Sequence, residues 1–193
     1  DGRRDTLSRL VVPIIAGYGG VCLLIMLLSP EIIQFLAPSS YGEGMYIIPV
    51  IVGGVFYMSI FSIFSNIIYY EKKPKYVMGA GVAAAVMNFI LNLIFIPLCG
   101  YFAAGYTTLA SYLLQVVWSY VAVKKVTGES VYDIKKLGII GLIILGMSIG
   151  APILYSFTIL RWALLVAIVV VIWIKRDIVI GGLLRDKKKM ADK

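Results

Sequence analysis

Six long apolar runs, separated by short polar segments, leave this chain few ways to fold. They cover residues 11–28, 46–69, 76–98, 103–123, 137–157 and 158–174, and Arg161 is the only charged residue within them. About 20 apolar residues at 1.5 Å each cross the roughly 30 Å hydrocarbon core of a bilayer. No water reaches the backbone N–H and C=O groups there, so each run must satisfy them internally, as a helix. β-Branched stretches such as residues 169–174 are expected to be helical for the same reason. The last two runs meet at a very tight turn, which predicts an antiparallel hairpin. The expected fold is all-α: a polytopic integral membrane protein with six transmembrane helices.

Composition points the same way. The 193 residues are 61% hydrophobic and 15% charged, with a mean hydropathy of +0.94. A soluble domain is nearer 45–50% apolar and about 25% charged. There is no His, and the only cysteines are Cys22 and Cys99. A zinc site, a catalytic histidine or a disulfide framework has almost nothing to be built from. Cys22 lies inside a run and Cys99 near the end of another, so no bridge is expected between them. No cofactor is expected either.

The net charge of +8 is an orientation signal. If all six runs cross, every Lys and Arg except Arg161 falls on one side. That side holds residues 1–10, the Lys72-Lys73-Pro74-Lys75 turn, a basic loop over 124–136 and a basic tail over 175–193. Positive residues stay cytoplasmic, so both termini are expected inside, with the basic clusters against anionic headgroups. Nucleic acid is the poorer partner for this charge. Arg161 is expected to snorkel to the opposite headgroups. The opening Asp1-Gly2-Arg3-Arg4 carries no Met and no signal-peptide pattern, so a fragment of a longer protein is expected.

The polar residues inside the runs are neutral and lie in stripes. Ser59, Ser62 and Asn66 share one helical face, as do Gly81, Ala84, Asn88 and Asn92. Gly105, Thr108, Ser111, Gln115 and Ser119 form the longest stripe. Two readings stand side by side. Small and hydroxyl residues pack helices together and bond across them for about 0.6–2 kcal/mol each. The larger amides Asn88, Asn92 and Gln115 also suit the lining of a wet cavity. The candidate cavity set is Ser59, Ser62, Asn66, Asn88, Asn92, Thr108, Ser111 and Gln115. In the fifth run, Gly138, Gly141, Gly146 and Gly150 offer a small surface for close approach to a neighbour. The sixth has no polar group in its middle, and Trp162 and Trp173 mark its interfaces. This hairpin is expected to face lipid, or the chain of a lipid-like substrate.

The segment from Asn88 and Asn92 through Pro97, Gly100, Ala103-Ala104-Gly105 and Thr108 to Ser111-Tyr112 resembles a stretch of polysaccharide transporters. These are the O-antigen and capsule lipid-linked oligosaccharide flippases of the multidrug/oligosaccharidyl-lipid/polysaccharide exporter superfamily. Leu36-Ala37-Pro38 through Tyr41, Glu43 and Gly44 is similar to their outer loop, and Lys72-Lys73-Pro74-Lys75 to their short basic turn. Ala103-Ala104-Gly105 departs from the usual Gly and Ala order, although all three residues remain small. The resemblance implies the last six helices of a fourteen-helix transporter in the bacterial plasma membrane: four from the second lobe (residues 11–123) and a terminal hairpin (137–174). The rest of the transporter, including its N-terminal lobe, would be the partner.

Such a protein would flip polyprenyl-diphosphate-linked oligosaccharide from the cytoplasmic to the outer leaflet, by rocking two lobes about a midplane cavity. The resemblance places the diphosphate-binding cations outside this segment, and a groove for the prenyl chain beside the hairpin. A cation-coupled drug exporter of the same superfamily is the alternative, but it wants an intramembrane carboxylate. A membrane enzyme would need an acid, base or metal site, and the outer loops offer only Glu31, Glu43 and Arg161. A non-catalytic membrane partner would need no polar stripes. Ser130-Val131-Tyr132-Asp133 fits an [ST]-x-x-[DE] cap, which predicts a short interfacial helix over residues 130–136.

Overall fold

Helices end just before Pro30, Pro38, Gly100 and Gly128, whereas Pro13, Pro97 and Pro152 lie inside helices. The computed structural model describes residues 2–128 and 131–191, with side chains for 11–38, 40–128 and 131–174. Seven α-helices result: α1 Gly2–Leu27, α2 Ser29–Leu36, α3 Ile48–Tyr70, α4 Lys75–Cys99, α5 Ala103–Thr127, α6 Ile134–Leu154 and α7 Thr158–Ala191. A 3-10 helix, Ser39–Tyr46, joins α2 to α3. All six apolar runs are helical, the β-branched stretch 169–174 included. Helices α3, α4 and α6 are long and apolar enough to cross a membrane, and α1 with α2 adds a fourth if the bent pair is one span.

Several boundaries differ from expectation. The first run is helical as expected, α1 stopping at Leu27, but a further helix not expected from the sequence, α2, leaves at 60° to it. Pro30 lies in the first turn of α2 and has no N–H to continue the ladder. Part of the segment read as an outer loop, Leu36 to Gly44, is the end of α2 followed by the 3-10 helix. Ser130 lies outside the described residues, and the cap is Asp133. Its carboxylate accepts from the Lys136 N–H at 3.2 Å, and α6 starts at Ile134 with no helix over residues 131–133. The Lys136 hydrogen bonds hold the Asp133 carboxyl below its usual range. The backbone of α7 runs on through the basic tail to Ala191, whose side chains lie outside the described set.

The bundle is organised around α3. One side of α3 packs on α5, and others pack on α6 and α1. Phe56, Ile68 and Val50 are fully buried there, with Met26 and Leu27 of α1 and Ile144 of α6. The Tyr18 and Phe56 rings stack 6.1 Å apart. Helix α4 leans on α5 and barely touches α3. It exposes Met78, Val82, Val86, Phe89, Ile90 and Leu93 along its length. A continuous apolar face of this kind is foreign to the surface of a soluble monomer.

The terminal pair of helices packs mainly on α1. Only Tyr155 to Phe157 separate α6 from α7, yet the two helices make few contacts with each other and α7 lies on α1. Of the four small residues predicted to bring a neighbour close to α6, only Gly141 does so, under the Tyr57 ring. Gly138, Gly146 and Gly150 face open space. The close approach of α3 to α6 is made instead at Gly53, where a Cβ would sit 2.0 Å from Ser148 Oγ and 3.0 Å from its Cβ. Gly53→Ala is therefore expected to lose about 1–3 kcal/mol through overpacking. Gly17→Ala, whose added methyl meets nothing within 4 Å, is expected to gain about 0.5–1 kcal/mol. Unfolding of the two variants in detergent micelles, followed by circular dichroism, checks the opposite signs.

Candidate functional site

The α4 and α5 stripes meet in a side-chain network. Asn88 and Asn92 are one turn apart on α4, and the Asn92 amide donates to Asn88 Oδ1 at 2.9 Å. Asn88 in turn donates to Thr108 Oγ1 on α5 at 3.2 Å, and the Thr107 hydroxyl donates to Asn92 Oδ1. Three of the candidate cavity residues are thus brought together, and Thr107 is added. An Asn amide has two N–H donors, and the network uses one on each. The second N–H of Asn88 and of Asn92 has no partner among the described residues, and both side chains are half-buried.

The rest of the stripe diverges. Ser111 is buried and its hydroxyl returns to the Thr107 carbonyl at 2.7 Å. Gln115, one turn further, is 9% exposed, and its amide lies over Gly81 of α4. Ser119, a turn beyond, has a fully buried hydroxyl with no partner. On α3, Ser59 is half-buried and donates to the Phe56 carbonyl, whereas Ser62 is exposed and donates to that of Met58. Asn66 is also exposed. Ser62 and Asn66 continue an outward stripe with Ile51, Val55, Met58 and Tyr69, turned away from the packed side of α3. They do not join the α4–α5 network.

The end of the bundle with the α1–α2 bend and the α6–α7 turn holds a charged pair. Arg161 does not snorkel: it is 6% exposed and its Nη2 donates to Glu31 Oε1. The guanidinium also lies 5.9 Å from the Tyr155 ring centre. Arg161 Nε and Glu31 Oε2 are buried with no partner, so the contact uses one prong of a possible two-pronged fork. Around it, the Tyr155 hydroxyl donates to the Met26 carbonyl at 2.8 Å and Ser29 donates to the Met45 carbonyl at 2.7 Å. Nearby, Tyr101 donates to Glu43 at 3.1 Å. Loss of solvent, then the hydrogen bond to Glu43 and its negative charge, push the Tyr101 phenol up. Nothing in the sequence announced the Arg161 pairing, because Glu31 lies 130 residues away.

Two apolar grooves flank α6. One, of about 310 Å³, is lined by Gly20 and Leu23 of α1, Ile143 of α6, and Leu164, Ile168 and Ile172 of α7. The other, of about 320 Å³, lies between α5 and α6 over Tyr57, whose hydroxyl donates to the Gly141 carbonyl at 2.7 Å. Among the described residues no three His, Cys, Asp or Glu side chains gather to hold a metal. Cys22 and Cys99 are free.

No family model, no curated protein and no solved structure matches this chain.

The charged pair makes a clear prediction. Removing one partner of a fully buried ion pair costs about 3–5 kcal/mol, and the cost is less here because the Glu31 side chain is 36% exposed. Glu31→Gln is expected to lower the unfolding midpoint in detergent. The double variant Glu31→Gln/Arg161→Met is expected to recover part of that loss, since it leaves no uncompensated charge.

Proposed function

We propose that this chain is the carboxy-terminal part of a polysaccharide-export membrane transporter. It moves a polyprenyl-diphosphate-linked oligosaccharide from the cytoplasmic to the outer leaflet of the bacterial plasma membrane by alternating access. In this reading α1 with its bent α2, and α3 to α7, make six crossings. Both termini and the Lys72–Lys75 turn are cytoplasmic, and the Glu31–Arg161 pair is on the outer side. The rest of the transporter, with its N-terminal lobe, completes the passage.

One observation carries the reading. Neutral amide groups without a protein partner among the described residues lie on helices α3 and α4, which are apolar enough to cross a membrane: the exposed Asn66, and the spare N–H of Asn88 and Asn92. A polar group without a partner in an apolar medium costs about 2–7 kcal/mol, whereas water or a sugar hydroxyl in a wet passage removes that cost. The apolar groove of about 310 Å³ between α1, α6 and α7 suits a prenyl chain. Arg161 already has Glu31 as its counter-ion, which favours placing the cations for the diphosphate outside this segment.

A non-catalytic membrane partner is the second reading. The network joining Asn88, Asn92, Thr107 and Thr108 favours it, because helix packing needs such a network whether or not anything passes. A cation-coupled exporter has less support: Glu31, the carboxylate within the bent α1–α2 pair, is held by Arg161.

Single cysteines, introduced after Cys22 and Cys99 are replaced by Ala, separate these readings in intact membranes. Ser62→Cys and Asn66→Cys are expected to react with a water-soluble maleimide, and Val82→Cys on the apolar face of α4 to resist it. Protection of both α3 positions would remove the passage. Export by the whole transporter is expected to fall in Asn88→Leu/Asn92→Leu at unchanged membrane insertion, and unchanged export would assign the two amides to packing.

A further inference from the structure

The turn between α3 and α4 gathers more cations than orientation requires. Lys72 takes a left-handed backbone, φ 56°, with its N–H on the Tyr69 carbonyl, and the Lys73 N–H reaches back to Ile68. The bend leaves a cleft of about 350 Å³ lined by Lys72, Lys73, Pro74, Lys75 and Tyr76. A second element contributes. The Lys125 ammonium, from the last turn of α5, lies 6.0 Å from the Tyr76 ring centre, and the Lys75 ammonium lies 5.6 Å from it. One aromatic ring thus collects two like charges from two helices, and Lys124, the residue before Lys125, is exposed.

None of these five lysines has a carboxylate partner among the described residues. Lys136 and Arg161, by contrast, each have one. The nearest acid in sequence, Glu71, is already engaged. The ring offsets the mutual repulsion of two ammonium groups only in part, because cation–π attraction is weak at exposed sites. An anion with several negative oxygens would complete the cluster. The exposed Tyr69 and Tyr70, just before the turn, are the residue type found at headgroup depth.

We propose that this cleft binds a phosphate group of two or more negative charges, a phosphomonoester or diphosphate, borne on a lipid headgroup of the facing leaflet. The proposal rests on the reading of the chain as membrane-embedded, but not on transport. The general excess of positive charge on one side acts through the number of lysines alone. A site depends on where they stand, and Tyr76 is the residue that distinguishes the two, since replacing it by Leu removes no charge.

The test uses the full chain, purified in mild detergent, with bound lipids counted by native mass spectrometry. Dioleoyl phosphatidic acid and dioleoyl phosphatidylcholine are the probes. The chain is expected to retain the former several-fold better. Each lysine near a membrane surface is worth about a fivefold change in affinity for anionic lipid. Lys73→Gln, at an exposed position, is expected to lose about that much, Tyr76→Leu to lose a comparable share, and Lys135→Gln to lose nothing.

Inorganic pyrophosphate distinguishes the sources. Displacement of phosphatidic acid at millimolar pyrophosphate would extend the site to soluble diphosphates, and no displacement would confine it to headgroups. Both results uphold a phosphate site. Equal retention of the two lipids, an unaltered preference in Tyr76→Leu, or an equal loss in Lys135→Gln would overturn it. Because detergent binding needs no flipping, a negative result leaves the transport reading standing, and a failed cysteine map leaves this site standing.

Discussion

A backbone carbonyl that loses its helical donor must find another when no water is at hand. Pro30 has no N–H for the carbonyl of Met26 four residues earlier. The Tyr155 hydroxyl, at the end of α6, supplies the missing donor at 2.8 Å. That contact fixes where the α6–α7 turn lies against the α1–α2 bend. The remaining polar groups at this end follow from it: Ser29 on the Met45 carbonyl, the Arg161 guanidinium over the Tyr155 ring, and Arg161 on Glu31. One proline therefore accounts for a helix break, for the docking of a turn 129 residues away, and for the company a buried arginine keeps.

What could be read from the sequence was local. Each apolar run became a helix because hydrophobic length and backbone satisfaction act on one segment at a time. The choice of neighbour was not legible. Gly138, Gly141, Gly146 and Gly150 look alike in sequence, yet only Gly141 meets another helix, and the tightest approach to α6 is made from Gly53. A tight turn between residues 154 and 158 says nothing of which helix covers α7, which lies mainly on α1. The Arg161 pairing was hidden for the same reason: chain distance carries no information about which loops share one end of a bundle.

The candidate site was legible in the same partial way. Asn88 and Asn92 lie four residues apart, so a shared face was readable, and their mutual hydrogen bond follows from that spacing. Thr107 was missed because it falls between stripe positions, and only the crossing of α4 over α5 brings it to Asn92. The α3 stripe was correct as a face, but its depth was not readable. Ser59 is half-buried, whereas Ser62 and Asn66 are exposed. Periodicity places residues on one side of a helix, and the packing of neighbours decides how far along that side the cover extends.

Helix α4 shows what the polar seam contributes. Apart from α5 it has little protein contact, and most of its surface is apolar and open. In a bilayer, lipid solvates such a surface as well as another helix does, so hydrophobic burial holds α4 only weakly. The Trp118 ring packs over Gly79, and three side-chain hydrogen bonds of about 0.6–1.7 kcal/mol each act directly across or along the seam. The two amides divide the work: Asn88 donates across to Thr108, Asn92 donates to Asn88 and accepts from Thr107 across the seam, and the second N–H of each has no partner among the described residues. Charged groups would not allow that division. The one arginine in an apolar run is buried against a carboxylate, and a cation so paired is not available to a passing solute. Neutral amides need no counter-ion, and their net hydrogen bonds of about 0.5–1.5 kcal/mol exchange readily with water.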